Sequence, residues 1–191
     1  MRIVAGTFRG TPIKTAPGRS TRPTSDRVRE AIFNILAHGD FGTFSLEGAR
    51  VLDLFAGSGA LGLESLSRGA RYALFVEEAA DARAAIRDNI EALKLTGATK
   101  IFRRDATSLG PCPPGSGGAF DLVFADPPYH KGLIERALVS ARAGGWVSDS
   151  AVLVLESSTS DAPALATPVQ VRDARSYGET LVTFATLASA E

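Results

Sequence analysis

The amino-acid sequence predicts an α/β fold: a mostly parallel β-sheet with helices on both faces, preceded by a short extension. Apolar, β-prone segments alternate with segments of helical periodicity between residues 50 and 158, as in a parallel sheet joined by crossover helices. A length of 191 residues with 45% hydrophobic residues is enough for one buried core. We therefore expect an N-terminal extension over residues 1–39 and one α/β domain over residues 40–191.

The extension is predicted to contain a β-hairpin followed by a helix. The hairpin would pair MRIVAG with TPIKTAP, since glycines and prolines mark turns around these segments. The helix lies in TRPTSDRVREAIFNILAHG, with Thr24 or Ser25 as its N-cap and Gly39 at its end. Its predicted apolar stripe consists of Val28, Ile32, Ile35 and Leu36.

The α/β domain is predicted to contain seven strands. Five of them lie in RVLDLFA, RYALFVE, TKIFRRDA, FDLVFAD and AVLVLES, and the helices lie in GALGLESLSRG, ADARAAIRDNIEALKLTG and KGLIERALVSARAGG. The last segment, TPVQVRDARSYGETLVTFATL, predicts two antiparallel strands with a turn at Tyr177–Gly178. We therefore expect a seven-stranded, mostly parallel sheet with an antiparallel C-terminal strand.

Composition argues against several classes of protein. The single cysteine, Cys112, allows no disulfide within the chain, and His38 and His130 are too isolated to form a zinc site. No apolar run approaches the length of about 18 residues that a membrane-spanning helix needs, and the N-terminus lacks a signal-peptide pattern. We expect a cytoplasmic monomer with no metal and no membrane partner.

Positive charge is concentrated near the N-terminus. The net charge of the whole chain is zero, yet residues 1–34 contain seven basic and two acidic residues, so the remainder is acidic. A basic segment on an acidic body indicates a polyanionic partner. For so short a segment, solvated surface arginines are the alternative interpretation.

A glycine-rich loop joins the first predicted strand of the domain to the helix after it. DLFAGSGALGLE places Gly57, Gly59 and Gly62 in a GxGxxG spacing, which allows a tight turn and lets a ligand approach the backbone. Ordinary strand-to-helix turns also contain glycines, so the pattern alone is weak. Glu77, which ends the next strand, would accept hydrogen bonds from ribose hydroxyls of a dinucleotide or another adenosine cofactor.

Four predicted strands end in acidic residues, namely Asp53, Glu77, Asp105 and Asp126. Ligands of such sheets bind beyond the carboxyl ends of the strands. A carboxylate at Asp53 would repel a pyrophosphate and would suit a cofactor with cationic groups and no phosphate. This favours S-adenosylmethionine, and Asp105 would then accept a hydrogen bond from the adenine amino group. For each acid taken singly, a loop cap or a solvated charge is the alternative interpretation.

The segment FDLVFADPPY ends a predicted strand with a rigid corner. Proline fixes its own backbone and keeps the preceding residue extended, so the Asp126 carboxylate and the Pro127 carbonyl are available as acceptors. Together they would hold a planar NH₂ group by both hydrogens, and Tyr129 offers a ring on which a base can stack. A stiff turn with an exposed tyrosine is the alternative interpretation.

These motifs resemble those of Rossmann-like class I methyltransferases that modify exocyclic amino nitrogens. More specifically, the chain is similar to the RsmD family, the bacterial 16S rRNA guanine-N2 methyltransferases, in MRIVAGTFRG, TRPTSDRVREAIFNIL, VLDLFAGSGALGLESLSRGA, FVE and FDLVFADPPY. The similarity extends from Met1 to the YGETLV segment, and residues 108–119 match least.

The resemblance implies S-adenosylmethionine as the cofactor and 16S rRNA, or a small-subunit ribosomal particle, as the partner. The segment 21–24 is expected to close over the active site. The implied catalytic residues are Asp126, Pro127, Pro128 and Tyr129. The implied cofactor-binding residues are Asp53, Phe55, Gly57, Ser58, Gly59, Glu77, Asp105 and Ala106. The implied RNA-binding residues are Arg2, Arg9, Arg19, Arg22 and Arg27.

Other functions fit parts of the pattern. An NAD-dependent oxidoreductase would use the GxGxxG loop, but Asp53 and the DPPY corner disfavour it. A methyltransferase acting on adenine N6 of DNA or RNA, or on a protein glutamine, would share the DPPY corner. A non-catalytic RNA-binding protein would need neither motif intact. The sequence leaves open which guanine is modified and whether naked rRNA or an assembled particle is the substrate.

Overall fold

The computed structural model describes residues 1–16, 25–128, 132–166 and 168–188. Several predictions fall outside these ranges: the RNA contacts of Arg19 and Arg22, the closing segment 21–24 with the alternative cap Thr24, and the stacking role of Tyr129. Those predictions stay predictions.

The described residues form four α-helices and seven β-strands in the predicted alternating order. In chain order they are α1 (Asp26–His38), β1 (Arg50–Leu54), α2 (Ala60–Ser67), β2 (Tyr72–Val76), α3 (Ala80–Ala92), β3 (Thr99–Phe102), β4 (Phe120–Ala125), α4 (Leu133–Ala143), β5 (Val147–Ser158), β6 (Val169–Tyr177) and β7 (Thr180–Leu187). Within this part of the chain no helix is both long and apolar enough to cross a membrane.

The strands form one sheet in the order β3-β2-β1-β4-β5-β7-β6. The first five are parallel to one another, and β7 runs antiparallel to both β5 and β6. The seven-stranded, mostly parallel sheet with an antiparallel C-terminal strand is therefore confirmed. The strand order reverses between β1 and β4, so the carboxyl ends of these two strands form the switch point at which such sheets bind ligands.

Buried apolar side chains lie on both faces of the sheet. On one face, Phe75 and Phe124 of the sheet pack in the same cluster as residues of α1, α2 and α3. On the other face, Leu52 and Val123 pack in one cluster with Trp146 and residues of α4. The Trp146 indole also donates a hydrogen bond to the Gly110 carbonyl at 2.8 Å, so its polar edge is satisfied inside the core. Both faces are covered, as the alternation of elements predicts.

The N-terminal hairpin is present in a short form. The Ile3 amide donates to the Thr11 carbonyl at 2.9 Å, and the Gly10 amide donates to the Ile3 carbonyl at 2.8 Å. A single antiparallel bridge joins Arg2 to Pro12. Because Ile3 is completely buried in the same cluster as the sheet residues, the hairpin packs on the α/β core.

Helix α1 begins where the sequence predicts, but its buried face differs from the predicted apolar stripe. The Ser25 hydroxyl accepts from the Val28 amide at 3.2 Å and caps the helix. Of the predicted stripe, Ile32 and Leu36 are buried, but the other buried positions are Phe33 and Arg29. A fully buried arginine is not readable from apolar periodicity, because its burial depends on partners elsewhere in the chain.

Candidate active site

Three of the predicted acids lie side by side where β1, β2 and β4 end. Asp53 is the fourth residue of β1 and aligns with Phe75 of β2 and Phe124 of β4. Glu77 follows β2 directly, and Asp126 follows β4 directly. Since β1 lies between β2 and β4, the fold brings these carboxylates to one edge of the sheet at the switch point.

The glycine loop between β1 and α2 has the geometry that its glycines predict. Gly57 has a φ of +57°, and a Cβ added there would meet only the Phe55 carbonyl oxygen, at 3.9 Å. At Gly62 a Cβ would lie 2.4 Å from Cε1 of Phe75, so α2 approaches the sheet more closely than a larger residue allows. The loop is therefore open to a ligand at Gly57 and closed against the core at Gly62.

Phe55 adopts a left-handed backbone with a φ of +60°. This conformation costs a non-glycine residue roughly 1–3 kcal/mol, and such strain concentrates at ligand sites. The residue lies between Leu54 at the end of β1 and the glycines of the loop, at a position predicted to bind the cofactor. Its half-buried side chain and strained backbone support a functional role for this turn.

Asp53 is buried, with 2% of its surface exposed. Its carboxylate accepts a hydrogen bond from the Gly62 amide at 3.0 Å, which fastens the start of α2 to β1. Burial raises the pKa of Asp53 to about 8; the Gly62 hydrogen bond opposes this shift and the Glu77 carboxylate adds to it. A cation bound beside this group would favour its ionised form.

Glu77 supports the glycine loop from the neighbouring strand. It is 4% exposed, and its two carboxylate oxygens accept from the Gly57 amide at 2.9 Å and from the Ala79 amide at 2.8 Å. The carboxylate therefore sets the loop conformation. Its predicted hydrogen bonds to ribose hydroxyls stay a prediction.

Asp105 caps a short turn of 3₁₀ helix at Ala106–Ser108. One carboxylate oxygen accepts from the Thr107 amide at 2.7 Å and from the Thr107 hydroxyl at 2.8 Å. These hydrogen bonds lower the pKa of Asp105. The exposed carboxylate is thus ionised and held in place beside the buried Ala106, and its contact with adenine stays a prediction.

The rigid corner after β4 is described as far as Pro128. Pro127 is buried and Pro128 is exposed, while Asp126 is intermediate in exposure. The pKa of Asp126 is raised well above its ordinary value by burial of the carboxyl, then by the carboxylates of Glu156 and Asp53. The raised pKa makes the ionised form of Asp126 a stronger base than an ordinary aspartate, which suits a proton acceptor.

Sequence reasoning missed Glu156, which is 4% exposed near the end of β5. Ala125 of β4 aligns with Leu155 of β5, so Asp126 and Glu156 each come one residue after this pair. The sequence did contain a signal for Glu156, because the predicted strand AVLVLES also has an acid at its end. The structure thus adds a fifth acid to those at the strand ends.

The predicted RNA-binding arginines within the described residues lie on the surface. Arg2, Arg9 and Arg27 are exposed, and Arg2 forms an ion pair with Asp26 at 3.6 Å. Arg29, one of the seven basic residues of the segment, is completely buried and cannot reach a phosphate. The exposed positive charge of the extension is therefore smaller than its composition indicates.

A pH-dependent stability follows from the burial of Asp53. Its pKa is about 8 in the folded protein and about 4 in an unfolded chain, so the native state keeps a proton that the unfolded state releases between these values. The free energy of unfolding therefore falls as pH rises through this window. Measured by urea unfolding, the free energy of unfolding should fall less between about pH 5 and pH 8 for Asp53→Asn than for the unaltered protein.

The exposed Asp81 provides the control, since Asp81→Asn should leave the pH profile of stability unchanged. If the free energy of unfolding changed with pH in the same way for Asp53→Asn and the unaltered protein, Asp53 would have the same pKa in the folded and unfolded states, contrary to this prediction.

Comparisons with known proteins show the family and the fold of the chain. The chain matches the family described as conserved hypothetical protein 95 over residues 1–186. It is 38% identical over 159 residues to ribosomal RNA small subunit methyltransferase D of Escherichia coli K12, covering 82% of this chain and 74% of that protein. The corresponding protein of Haemophilus influenzae is 33% identical over 156 residues, covering 82% of this chain and 78% of that protein.

A solved structure extends the match to the whole fold. The structure titled "Putative methyltransferase yhhF from Escherichia coli" superposes with a TM-score of 0.82 and 30% identity over 100% of this chain and 99% of that chain. The Rossmann-like class I methyltransferase fold is thereby confirmed, as is the resemblance predicted from the motifs. The chain belongs to the conserved hypothetical protein 95 family, which is the RsmD family that its motifs resemble.

Proposed function

We propose that the chain is an S-adenosylmethionine-dependent methyltransferase that modifies the exocyclic N2 of a guanine in 16S rRNA. The observation that carries this proposal is the position of the buried Asp53 and the glycine loop on one strand, with the Asp126–Pro127 corner on the adjacent strand. The first feature suits a cationic adenosine cofactor, and the second suits a planar amino group. The family relatives named as small-subunit rRNA methyltransferases support the substrate class.

The residues of the glycine loop fit this cofactor. The opening at Gly57 lets a ligand contact the backbone, and the neighbouring ionisable side chains, Asp53 and Glu77, are acids. Acids attract the ammonium and sulfonium groups and repel the phosphates of a dinucleotide. We assign the methionine part to Asp53, Phe55 and the loop residues, the ribose to Glu77, and the adenine to Asp105 and Ala106.

When bound, the cofactor supplies an electrophilic methyl group on a sulfonium. The Asp126 carboxylate and the Pro127 carbonyl accept hydrogen bonds from the two N–H groups of the target, which directs the nitrogen lone pair at the methyl. During methyl transfer to the target nitrogen, Asp126 would offset the positive charge that develops on this nitrogen and would then take its proton. Pro128 stiffens the corner, and Tyr129 stacks on the flipped base, offsetting part of the cost of unstacking.

The extension over residues 1–39 would contact rRNA, and the domain over residues 40–191 would perform catalysis. Exposed arginines of the extension bind phosphates without reading sequence, so they position the RNA. An rRNA substrate places this activity in the cytoplasm.

The proposal is tested by incubating the protein with labelled S-adenosylmethionine and either naked 16S rRNA or small-subunit particles, then mapping the modified nucleotide. N2-methylguanine in the rRNA is the expected product. The assignment would be rejected if the product were methylated adenine or methylated protein, or if no methyl group were transferred to either substrate. Thermal unfolding with S-adenosylmethionine or NAD distinguishes the oxidoreductase alternative, since a ligand of the native state raises Tm.

Charge reversal in the extension should weaken RNA binding in a salt-dependent manner. Arg19→Glu combined with Arg22→Glu should make the slope of log K against log salt shallower by about 1.4–1.8 units, because each lost phosphate contact removes about 0.7–0.9. The binding constant is measured by fluorescence anisotropy over a salt series. Arg172→Glu, on the exposed edge strand β6, is the control, and an unchanged slope in the double variant would contradict the role of the extension.

A further inference from the structure

Asn89 of α3 is a buried polar residue that lies outside every motif described above. It is 3% exposed, and its amide forms three hydrogen bonds to two separate segments. The side-chain oxygen accepts from the Lys14 amide at 2.8 Å. The side-chain nitrogen donates to the Lys14 carbonyl at 3.0 Å and to the Ser58 carbonyl at 3.1 Å.

The two contacts with Lys14 resemble the pairing of neighbouring strands, because one amide binds both backbone groups of a single residue. This fixes the position and the direction of the chain at Lys14. An exposed ion pair from the Lys14 ammonium to Asp88 at 3.0 Å adds to the anchor. Lys14 precedes Arg19 by five residues and Arg22 by eight, so Asn89 holds the base of the predicted RNA-binding segment.

The third contact reaches the centre of the glycine loop. Ser58 lies between Gly57 and Gly59, and its carbonyl accepts the second N–H of the Asn89 amide. Both donors of the amide are therefore used, one on each segment. A weaker contact of 3.8 Å between the Ser58 hydroxyl and the Met1 sulfur also joins the loop to the extension. A single rigid side chain thus links the backbone of the loop to the backbone of the extension.

We propose that Asn89 is a positioning residue that couples cofactor binding at the glycine loop to RNA binding by the extension. This inference rests on the proposed function. A cofactor that orders the Ser58 carbonyl also orders the Asn89 amide that holds Lys14. In the same way, an RNA that orders the chain at Lys14 also orders the amide that holds Ser58. Binding free energies of two ligands that share such an element are linked reciprocally, so each ligand should tighten the binding of the other.

Two substitutions separate this role from packing. Asn89→Leu keeps the number and branching of the side-chain heavy atoms and removes all three hydrogen bonds. Asn89→Asp has the same shape and keeps the acceptor for the Lys14 amide, but it directs a carboxylate at the carbonyls of Lys14 and Ser58. The matched controls are Gln170→Leu and Gln170→Glu on the exposed edge strand β6.

The readout is the ratio of dissociation constants for a 16S rRNA fragment without and with saturating S-adenosylhomocysteine, which carries no methyl group and prevents turnover. The unaltered protein and the Gln170 variants should bind RNA at least about fivefold more tightly with this ligand. Both Asn89 variants should give a ratio near one. An unaltered protein with a ratio of one, or Asn89 variants that keep the full ratio, would overturn the inference.

Further measurements keep this test distinct from the proposed function. If the unaltered protein methylates rRNA and binds S-adenosylhomocysteine but shows no coupling, only the role of Asn89 is refuted. If it does neither, the proposed function itself fails. Should both Asn89 variants unfold, hydrogen exchange of the unaltered protein decides: protection at residues 10–16 should rise when S-adenosylhomocysteine binds, and unchanged exchange there would refute the coupling.

Discussion

Replacing Asp126 by asparagine should lower methyl transfer to rRNA by about 10³-fold, since general-base catalysis alone contributes about 10²–10⁴. Asparagine keeps the size of the side chain and one carbonyl acceptor. It cannot take the proton from the amino group, and it carries no charge to offset the positive nitrogen. Single-turnover rates with labelled S-adenosylmethionine measure the loss.

The affinity for S-adenosylmethionine separates the assigned role from a general disturbance of the site. Calorimetry should give a dissociation constant for Asp126→Asn within about threefold of the unaltered protein, because Asp53 and Glu77 hold the cofactor in this proposal. Asp149→Asn, an exposed acid at the start of β5, should change neither quantity. A parallel loss of rate and cofactor affinity would show that Asp126 belongs to the cofactor site instead.

The order of elements was readable from the sequence because each element carries its own local pattern. Strands β1, β2 and β4 are short apolar runs, and the Ser25 cap and the turn at Gly178, whose φ is +65°, depend only on neighbouring residues. Parallel pairing then places all strand ends with the same polarity at one edge. This is why Asp53, Glu77 and Asp126 could be predicted to lie together before the strand order was known.

Residues that are polar and deeply buried could not be predicted in the same way. The burial of Arg29, Glu64 and Asn89 depends on partners tens of residues away, and no periodicity records such a pairing. The sequence also could not decide whether Glu77 and Asp105 cap their own turns or bind a ligand, and in the structure both carboxylates bind backbone amides of those turns. A carboxylate at a strand end can accept hydrogen bonds from the amides of its turn and still face a ligand. These contacts therefore add a structural role to the cofactor-binding role proposed for each residue.

Glu64 shows most clearly how the extension is joined to the core. It is completely buried on α2, and its carboxylate accepts from the Val4 amide at 2.8 Å and from the Ala5 amide at 3.0 Å. It also pairs with the guanidinium groups of Arg68 at 2.8 Å and Arg29 at 3.6 Å. One acid therefore holds the hairpin, α1 and α2 together.

Glu64→Ala should lower the free energy of unfolding by about 3–5 kcal/mol, the usual cost of removing one member of a buried charge cluster. Two backbone amides lose their acceptor, and the buried Arg29 loses a counter-charge while it keeps its hydrogen bond to Asp26 at 2.9 Å. Urea unfolding monitored by circular dichroism measures the change. Glu91→Ala, an exposed acid on α3, is the matched control and should change stability by less than about 0.5 kcal/mol.

A double substitution identifies the physical origin of that loss. If an uncompensated buried charge is responsible, Arg29→Met should cost less in a Glu64→Leu background than in the unaltered protein, with an interaction energy of about 0.5–3 kcal/mol between the two sites. If the two amides of the hairpin dominate instead, the two substitutions should be additive. Additivity would assign the stability of this junction to backbone hydrogen bonds, and the ion pairs would then serve mainly to orient α1 on α2.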